Sequence, residues 1–354
     1  MRILIYSPAF YPSIGGLETL VSILAHEFIA QGHEVRLVSQ TPSKGDERFP
    51  FEVIRQPSPF RLLKLVRWCD LFFQPNISLK GIWPLFLTFK PWVVSHNNWY
   101  TRADGRLAWQ DRLKHFLVRF ANSISVSRAV AAHIAVPSTV IPNTYREDIF
   151  RLMPEVERDR ELLFLGRLVS DKGADLLLDA LAKLKACGLT PRLTIVGGGP
   201  EKAALHQQAE DLRVHDQIDF AGMKTHSELP QILNAHRILV VPSRWHEPFG
   251  IVALEGIACG CTVVGSEGGG LRDAVGSCGV AFPNGDAEAL AQTLADLLSD
   301  PGKLSAYEDH REAHLSRHRK SEVAKAYLLV FEGAIWHRRI EKTSARESLG
   351  SSRL

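Results

Sequence analysis

The segment MRILIYSPAFYPSIGGLETLVSILAHEFIAQGHEVRLVS, residues 1–39, decides the fold class. Residues 2–6 form a short apolar run, and residues 35–39 form a second run rich in β-branched and aliphatic side chains. Between them, residues 17–31 have the spacing of an amphipathic helix, which Gly32 ends. A strand, a helix and a second strand in this order form a βαβ unit. We therefore predict an α/β protein built on a parallel sheet.

The same alternation continues along the chain and divides into two series. The first series has further predicted strands at residues 93–95, 123–126 and 139–141. A polar segment with two prolines, residues 142–160, is the predicted linker. The second series has predicted strands at residues 161–165, 192–196, 218–221, 238–242 and 262–265. A length of 354 residues suits two domains facing across a cleft better than one core.

These patterns predict four parts of the chain. Residues 1–150 form an N-terminal Rossmann-like domain, and residues 151–320 form a C-terminal one. Residues 321–342 form a helix that packs back toward the N-terminal domain. Residues 343–354, which are rich in Ser and Arg, form a disordered tail.

Composition excludes several classes of protein. Hydrophobic residues make up 45% of the chain and charged residues 23%, so wholesale disorder is not expected. Residues 2–6 are too short for the apolar region of a signal peptide, and charges and prolines interrupt the apolar region at residues 71–94. Five cysteines form no zinc-binding pattern, so we expect reduced thiols and a cytosolic protein.

The charge is distributed unevenly along the chain. Residues 1–155 contain 18 Lys or Arg and 12 Asp or Glu, and residues 51–128 contain twelve and four. Such a surplus can attract an anionic membrane surface or a phosphorylated acceptor. Two basic segments with aromatic residues, RLLKLVRW at residues 61–68 and RLAWQDRLKHFLVRF at residues 106–120, have the spacing of interfacial helices. The alternative is that their apolar faces pack in the core.

The most specific constellation is PSRWHEPFGIVALEGIACG at residues 242–260. Glu247 follows a predicted strand, and a helix beginning near Pro248 would place Glu255 two turns inside it. The amides of Phe249, Gly250 and Ile251 would then be free at the helix start, where a diphosphate fits. Two partly buried carboxylates can bind ribose or sugar hydroxyls. The alternative is that Glu247 interacts only with the helix dipole and that Glu255 is solvated.

A second constellation is LFLGRLVSDKG at residues 163–173. Arg167 and Lys172 follow a predicted strand in a glycine-flanked loop, and such loops face ligands in open α/β sheets. Two cations there could bind a diphosphate and stabilise it as a leaving group. The alternative is a pair of solvated loop cations.

The N-terminal half contributes weaker signals. Gly15 and Gly16, in PSIGGLE at residues 12–18, permit close approach of a ligand to a helix start, where Glu18 suits the helix dipole. His96, in SHNNWY, follows a predicted strand and so lies at the same edge of the sheet. A single histidine in such a position is as often structural as functional.

Several cofactor motifs are missing from the sequence. The glycine run at residues 197–200 lacks the third glycine of a dinucleotide fingerprint, and there is no Walker lysine loop. No two aspartates are separated by one residue, the arrangement that often holds a metal-bridged nucleotide-sugar. We expect no cofactor, no metal and no nucleic-acid partner.

In their order along the chain, these motifs resemble the retaining glycosyltransferases of family 4. The matching stretches are LFLGRLVSDKG, LTIVGGGPE, IDFAGMKTHSELP and the two-glutamate segment followed by GGGLRDAV, all between residues 161 and 275. The resemblance implies the GT-B fold, an α/β architecture of two doubly wound parallel-sheet domains. It also implies that the N-terminal domain is on the acceptor side and that the C-terminal domain binds the nucleotide-sugar.

The resemblance further implies roles for the C-terminal residues. Glu255 would hold the ribose hydroxyls, and Glu247, with the amides of Phe249 and Gly250, would hold the transferred sugar. Arg167 and Lys172 would bind the diphosphate.

The remaining roles implied by the resemblance fall on three residues. Gly16 would approach the phosphates from the opposite wall of the cleft. His96 would lie near the reacting sugar. Met223 would contact the nucleobase.

The expected reaction is metal-independent transfer of a hexose, with retention, from a nucleoside-diphosphate-sugar to a glycan or lipid-linked acceptor in cell-surface polysaccharide or glycolipid synthesis. Front-face attack is preferred because no residue stands out as the nucleophile of a double displacement. UDP-linked and GDP-linked donors both remain open. The alternatives are a non-catalytic nucleotide-sugar-binding subunit and a nucleotide-sugar epimerase of the same fold.

Overall fold

The structure, a computed structural model, describes residues 1–354 with the exception of 14, 44, 46–47, 101–107, 135, 226 and 352–354; the side chains of 301 and 341–351 are also outside the description. The chain divides into two compact units. The first unit contains Met1–Asn143 and Lys320–Leu354, and the second contains Thr144–Arg319.

The first unit contains a seven-stranded sheet in which all neighbouring strands are parallel. The strand order is β3-β2-β1-β4-β5-β6-β7. The strands are β1 (Arg2–Tyr6), β2 (Glu34–Ser39), β3 (Glu52–Arg55), β4 (Leu71–Pro75), β5 (Trp92–His96), β6 (Asn122–Ser125) and β7 (Ser138–Val140).

Helices connect these strands, except that the described residues between β2 and β3 form no helix. A 3₁₀ turn, Val118–Phe120, continues α5. The helices are α1 (Gly16–Ala30), α2 (Pro59–Trp68), α3 (Leu79–Ile82), α4 (Leu85–Thr88), α5 (Trp109–Leu117) and α6 (Arg128–Ile134).

The second unit contains a six-stranded sheet, also parallel, in the order β10-β9-β8-β11-β12-β13. Its strands are β8 (Arg160–Leu165), β9 (Leu193–Val196), β10 (Ile218–Gly222), β11 (His236–Val241), β12 (Thr262–Ser266) and β13 (Gly279–Phe282). Its helices are α7 (Ala174–Ala186), α8 (Lys202–Asp211), α9 (Leu229–Ala235), α10 (Ile251–Ala258), α11 (Leu271–Val275), α12 (Ala287–Ser299), α13 (Pro301–Glu308) and α14 (Arg311–Leu315).

A long helix, α15 (Lys320–Ser351), returns to the first unit. Its Tyr327 and Phe331 are fully buried in the core of that unit. The Phe331 ring lies 5.4 Å from the Phe28 ring of α1, and the Tyr327 ring lies 5.7 Å from the Phe73 ring of β4. The tail predicted to be disordered begins at residue 343, whereas α15 continues through Ser351, so residues 343–351 are helical, contrary to the prediction; residues 352–354 lie outside the described residues.

Two parallel sheets with the chain order of doubly wound folds confirm the predicted fold class. Three strands were not predicted: β3, β4 and β13. The predicted boundary at residue 150 lies seven residues beyond the one between Asn143 and Thr144. Polar contacts explain the difference, because Arg158 donates to the backbone oxygens of His236 and Cys259, both at 2.7 Å, and thereby fixes the predicted linker to the second unit.

The two basic helices proposed for a membrane interface have different environments. In α2, the apolar residues Leu62, Leu65 and Val66 are buried, so the interfacial interpretation of residues 61–68 is wrong and the core alternative is right. In α5, Trp109 and Phe116 are 69% and 53% exposed. Within the described chain, none of the helices combines the length and the apolar character needed to cross a bilayer.

Candidate active site

The candidate site in the second unit lies where the strand order of the sheet reverses. Strand β8 has β9 on one side and β11 on the other, so the connections from β8 and β11 diverge. Ligands of open α/β sheets bind outside the carboxyl ends of the strands at such a switch point. Arg167 and Lys172 follow β8, and Glu247 follows β11.

The loops after β8 and β11 are in direct contact. The carbonyl oxygen of Asp171 accepts hydrogen bonds from the amides of Arg244 (2.9 Å) and Trp245 (3.2 Å). Gly173 has φ of +69°, and a Cβ atom at this position would lie 2.0 Å from the carbonyl oxygen of Pro242. Only glycine permits both this backbone conformation and this approach of the two loops.

Lys172 and Glu247 form an ion pair across these loops through Nζ and Oε1. The hydroxyl of Ser243 donates to the same carboxylate oxygen at 2.8 Å. The Glu247 side chain is 13% exposed and that of Lys172 is 29% exposed. Both charged groups are therefore held in place and still accessible to a ligand.

The backbone of Glu247 is fixed by the loop after β12. Glu247 forms a parallel bridge with Gly269, and its carbonyl oxygen accepts a hydrogen bond from the Gly270 amide at 2.6 Å. Gly269 has φ of +72°, and a Cβ atom there would lie 2.3 Å from the same oxygen. Three loops thus position the Glu247 carboxylate.

Helix α10 begins three residues later than the sequence predicted. Its first residue is Ile251, preceded by Gly250 in a left-handed conformation with φ of +104°. The Phe249 side chain is buried and lies 5.7 Å from the His318 ring. At this helix start the amide of Ala253 donates to the Gly250 oxygen at 3.0 Å. Binding of an anion by the amides of Phe249, Gly250 and Ile251 stays a prediction.

Glu255 lies one turn inside α10, not two turns as predicted. It is half-buried, which excludes the solvated alternative. Burial raises the pKa of Glu255 to about 8, and the positive charge of Arg146 opposes this shift. Without a ligand, this carboxyl group is therefore mostly protonated at neutral pH.

Two further predicted residues lie at the same edge of the sheet. Arg167 is exposed in the loop after β8. Met223, directly after β10, is 83% exposed, and its Cγ lies 2.8 Å from the position of a Cβ atom on Gly198. Gly197 closely contacts the loop after β8, since a Cβ atom there would lie 1.8 Å from the Gly166 oxygen.

His96 lies at the end of β5 in the first unit, and its side chain is fully buried. Its Nδ1 is 2.7 Å from the hydroxyl of Tyr100, and its Nε2 is 3.1 Å from the hydroxyl of Ser123. Burial, together with the charge of His115, lowers the pKa of His96 to about 4. The imidazole is therefore neutral, and contact with a sugar stays a prediction.

Gly15 and Gly16 lie at the start of α1, as predicted. The Glu18 carboxylate covers this helix start, with Oε2 2.6 Å from the position of a Cβ atom on Gly15. The hydroxyl of Ser13 donates to Glu18 at 3.0 Å. Glu18 thus has the helix-start position that the sequence indicated, while phosphate binding by either glycine stays a prediction.

The sequence interpretation overlooked some residues of both sites. Ser243 stands in the quoted segment 242–260, but its bond to Glu247 depends on a loop conformation that no motif predicts. Tyr100 and Ser123 contact His96 from different segments of the first unit. In the described part of the chain, no three His, Cys, Asp or Glu side chains come together as metal ligands would.

Comparison with known proteins gives the following similarities. Residues 146–314 match the protein family described as Glycosyl transferases group 1. A phosphatidyl-myo-inositol mannosyltransferase of Mycobacterium leprae is 27% identical over 366 residues, covering 94% of this chain and 96% of that protein. A glycogen synthase of Mycobacterium tuberculosis is 39% identical over 143 residues, which are 40% of this chain and only 34% of the relative.

A solved structure supports the fold. The crystal structure of HepE from Anabaena, in complex with UDP, has a TM-score of 0.80 to this chain. The alignment covers 94% of this chain and 100% of HepE at 20% sequence identity. At that identity the likeness shows a common fold and nothing further.

Proposed function

We propose that this chain is a retaining glycosyltransferase of family 4, because residues 146–314 match the family described as Glycosyl transferases group 1. It moves a hexose from a nucleoside-diphosphate-sugar to a glycan or lipid-linked acceptor. The observation that carries the proposal is the Lys172–Glu247 ion pair at the switch point of the second sheet, beside the start of α10. A cation, a carboxylate and the start of a helix meet there, as a diphosphate-sugar requires.

The diphosphate binds to the amides at the start of α10 and to Lys172 and Arg167. Each close pair of unit charges is worth about 4 kcal/mol at ~4 Å and an effective dielectric of ~20, before the loss of hydration is subtracted. The same cations stabilise the charge that develops on the leaving phosphate, so they contribute to catalysis as well as to binding.

The two glutamates bind the hydroxyl-bearing parts of the donor. When the diphosphate attracts Lys172, the Glu247 carboxylate becomes available to the transferred sugar. Glu255, one turn further into α10, accepts hydrogen bonds from the ribose. The solved structures of HepE with UDP and with UDP-glucose support a nucleotide-sugar ligand for this fold. Met223 lies at the same edge and suits a contact with the base.

In the proposed mechanism, the acceptor hydroxyl attacks from the face that the phosphate leaves. The bond between the anomeric carbon and the phosphate oxygen breaks, and a bond forms between the same carbon and the acceptor oxygen on the same face, so the anomeric configuration is retained. The departing phosphate oxygen accepts the proton of the attacking hydroxyl. No metal is required in this scheme, since Lys172, Arg167 and the amides supply the positive charge. We place the reaction in cytoplasmic synthesis of cell-surface polysaccharide or glycolipid. In this proposal, His96 of the first unit lies near the reacting sugar, and Gly15 and Gly16 allow the phosphates to approach the start of α1.

The test combines binding and stereochemistry. Calorimetry with UDP and GDP should show selective binding to the wild type, and NMR of the product should show retention. Glu247→Ala should abolish transfer while nucleotide binding is kept, and Glu308→Ala, an exposed glutamate of α13, is the matched control. An inverted product would contradict the proposed mechanism. Consumption of the donor without an acceptor would favour an epimerase, and binding without any reaction would favour a non-catalytic subunit.

A further inference from the structure

Helix α5 and the turn after it present an apolar stripe to solvent. Trp109, Leu113, Phe116 and Phe120 are 69%, 38%, 53% and 69% exposed. Their spacing of four, three and four residues places them on one helical face, which surface helices normally bury against their own core. This stripe therefore has no partner among the described residues that covers it.

The stripe leads into an apolar pocket. Phe120 lines a pocket of about 830 Å³ together with Phe86, Phe89, Trp92, Leu117 and Ala334. Phe86 and Phe89 are themselves 61% and 59% exposed. The volume lies in the range of sites that bind small molecules. We call the α5 stripe and this pocket together the amino-edge surface, because the pocket adjoins the amino ends of β5 and β6.

One residue of the pocket wall carries a buried polar group. Trp92 is 7% exposed, and its indole Nε1 has no hydrogen-bond partner among the described residues. Unpartnered buried donors are rare in proteins.

The charges around the amino-edge surface select an anionic partner. Arg112 and Arg119, on α5 and the turn after it, are exposed. Arg338 also lines the pocket, with its guanidinium 5.8 Å from the Phe89 ring. Aromatic side chains next to arginines, on a helix that lies along the surface, are typical of contact with an anionic bilayer.

We propose that the amino-edge surface lies in the interface of an anionic lipid bilayer and that its pocket takes an acyl chain of one lipid. Trp109, Phe116 and Phe120 enter the apolar boundary of the bilayer, and Arg112 and Arg119 contact lipid phosphates. His96 lies at the opposite end of β5, about 13 Å away along the strand, so the carboxyl edge of the sheet stays accessible. This inference does not depend on the proposed glycosyl transfer.

Vesicle co-sedimentation tests the stripe. Wild-type protein should bind vesicles of phosphatidylcholine with phosphatidylglycerol, and binding should increase with the anionic fraction. The double variant Phe116→Ser and Phe120→Ser should bind at least about tenfold more weakly. Phe60→Ser is the matched control, because Phe60 is 81% exposed at the start of α2, near the carboxyl edge. Unchanged binding of the double variant would overturn the proposal.

Charge variants and oligomeric state give independent readouts. Arg112→Gln and Arg119→Gln should each weaken binding to anionic vesicles about fivefold and reduce its dependence on phosphatidylglycerol. Equal binding to vesicles of pure phosphatidylcholine would contradict the role of charge. A doubled mass in light scattering that reverts in the phenylalanine double variant would assign the surface to a second copy of this chain instead. Nucleotide binding by the same variants should be normal, which separates this test from that of the proposed function.

Fluorescence quenching tests the pocket. Lipids brominated in the acyl chains should quench tryptophan fluorescence of the bound protein. Trp92→Phe and Trp109→Phe should each remove part of the quenched signal, because one tryptophan lines the pocket and the other starts the stripe. If Trp109→Phe reduces the quenched signal and Trp92→Phe does not, the acyl-chain pocket is wrong. If neither variant reduces the quenched signal, the proposed orientation on the bilayer is wrong.

Discussion

The ammonium group of Lys172 pairs with the Oε1 atom of Glu247, and this ion pair joins the loops that follow β8 and β11. Glu247 also accepts a hydrogen bond from Ser243, so the carboxylate keeps a partner when Lys172 moves to a phosphate. An incoming diphosphate can therefore replace one charged partner of Lys172 with another. The structure therefore holds both groups where the proposed reaction would use them.

Substitution of the two partners should have different effects. Lys172→Ala should weaken binding of a nucleoside diphosphate and lower kcat about 10² to 10³-fold, since it removes a donor to the leaving group. Glu247→Gln should lower kcat with little change in nucleotide affinity, because its proposed contacts are with the sugar. Calorimetry and initial rates separate these outcomes. Lys202→Ala, an exposed lysine of α8, should behave as the wild type; equal loss of nucleotide affinity in Glu247→Gln would contradict the assignment.

Gly173→Ala should separate the two loops of the site. The Cβ atom would clash with the Pro242 oxygen at 2.0 Å in a backbone conformation with φ of +69°. Gly188→Ala is the control, since Gly188 also has positive φ, +83°, but no atom within 4 Å of the added Cβ. The backbone strain common to both should cost about 1 to 2 kcal/mol of unfolding free energy.

The clash should add to that strain only in Gly173→Ala. Thermal unfolding should show a lower Tm for Gly173→Ala than for Gly188→Ala, and only Gly173→Ala should lose nucleotide affinity. Equal Tm values and equal affinities in the two variants would show that the contact between the loops does not hold the site together.

Glu255 should make nucleotide binding depend on pH. Its pKa of about 8 in the ligand-free protein keeps the carboxyl protonated at pH 7, whereas ribose hydroxyls bind best to the carboxylate. Binding at pH 7 should therefore release a proton, and affinity should rise with pH until about 8. Calorimetry in two buffers with different ionisation enthalpies measures this proton release. Glu255→Gln should abolish it, and proton uptake by the wild type would refute the proposed role.

The sequence predicts the fold of this chain better than the details of its sites. Alternating strands and helices predict two doubly wound sheets, but β4 was missed because an apolar strand buried on both faces lacks the alternation of a half-buried strand. Pro248 suggested an early start of α10, whereas the left-handed Gly250 delays it to Ile251. Local patterns do not contain such backbone conformations.

Long-range packing explains the other differences. Residues 61–68 and 106–120 have similar composition, yet α2 buries its apolar face and α5 exposes it. Which of the two helices covers the core depends on the connections around the sheet, not on either helix alone. One hydrogen-bond partner of His96 is likewise distant in sequence, because Ser123 lies 27 residues further along the chain.

His96 should remain neutral through the physiological range and should make the stability of the first unit depend on pH below it. Its pKa is lowered to about 4, mainly by burial, whereas an exposed histidine titrates near 6.5. Between these values the unfolded chain binds more protons than the folded one, so stability is greatest above pH 6.5 and falls as the pH decreases toward 4. A shift of this size corresponds to at most about 3 kcal/mol. In His96→Gln this contribution is absent, so the difference in unfolding free energy between wild type and variant should shrink from pH 7 to pH 4.

Denaturant unfolding at several pH values measures this effect, and NMR titration of the imidazole measures its origin. His310→Gln, a change at an exposed histidine, is the control and should leave the pH profile unchanged. Tyr100→Phe removes the hydroxyl next to Nδ1 and should destabilise the folded protein by about 1 kcal/mol. If His96 titrates near 6.5 in the folded protein, the buried hydrogen-bonded arrangement is wrong, and His96 is instead open to solvent at the end of β5.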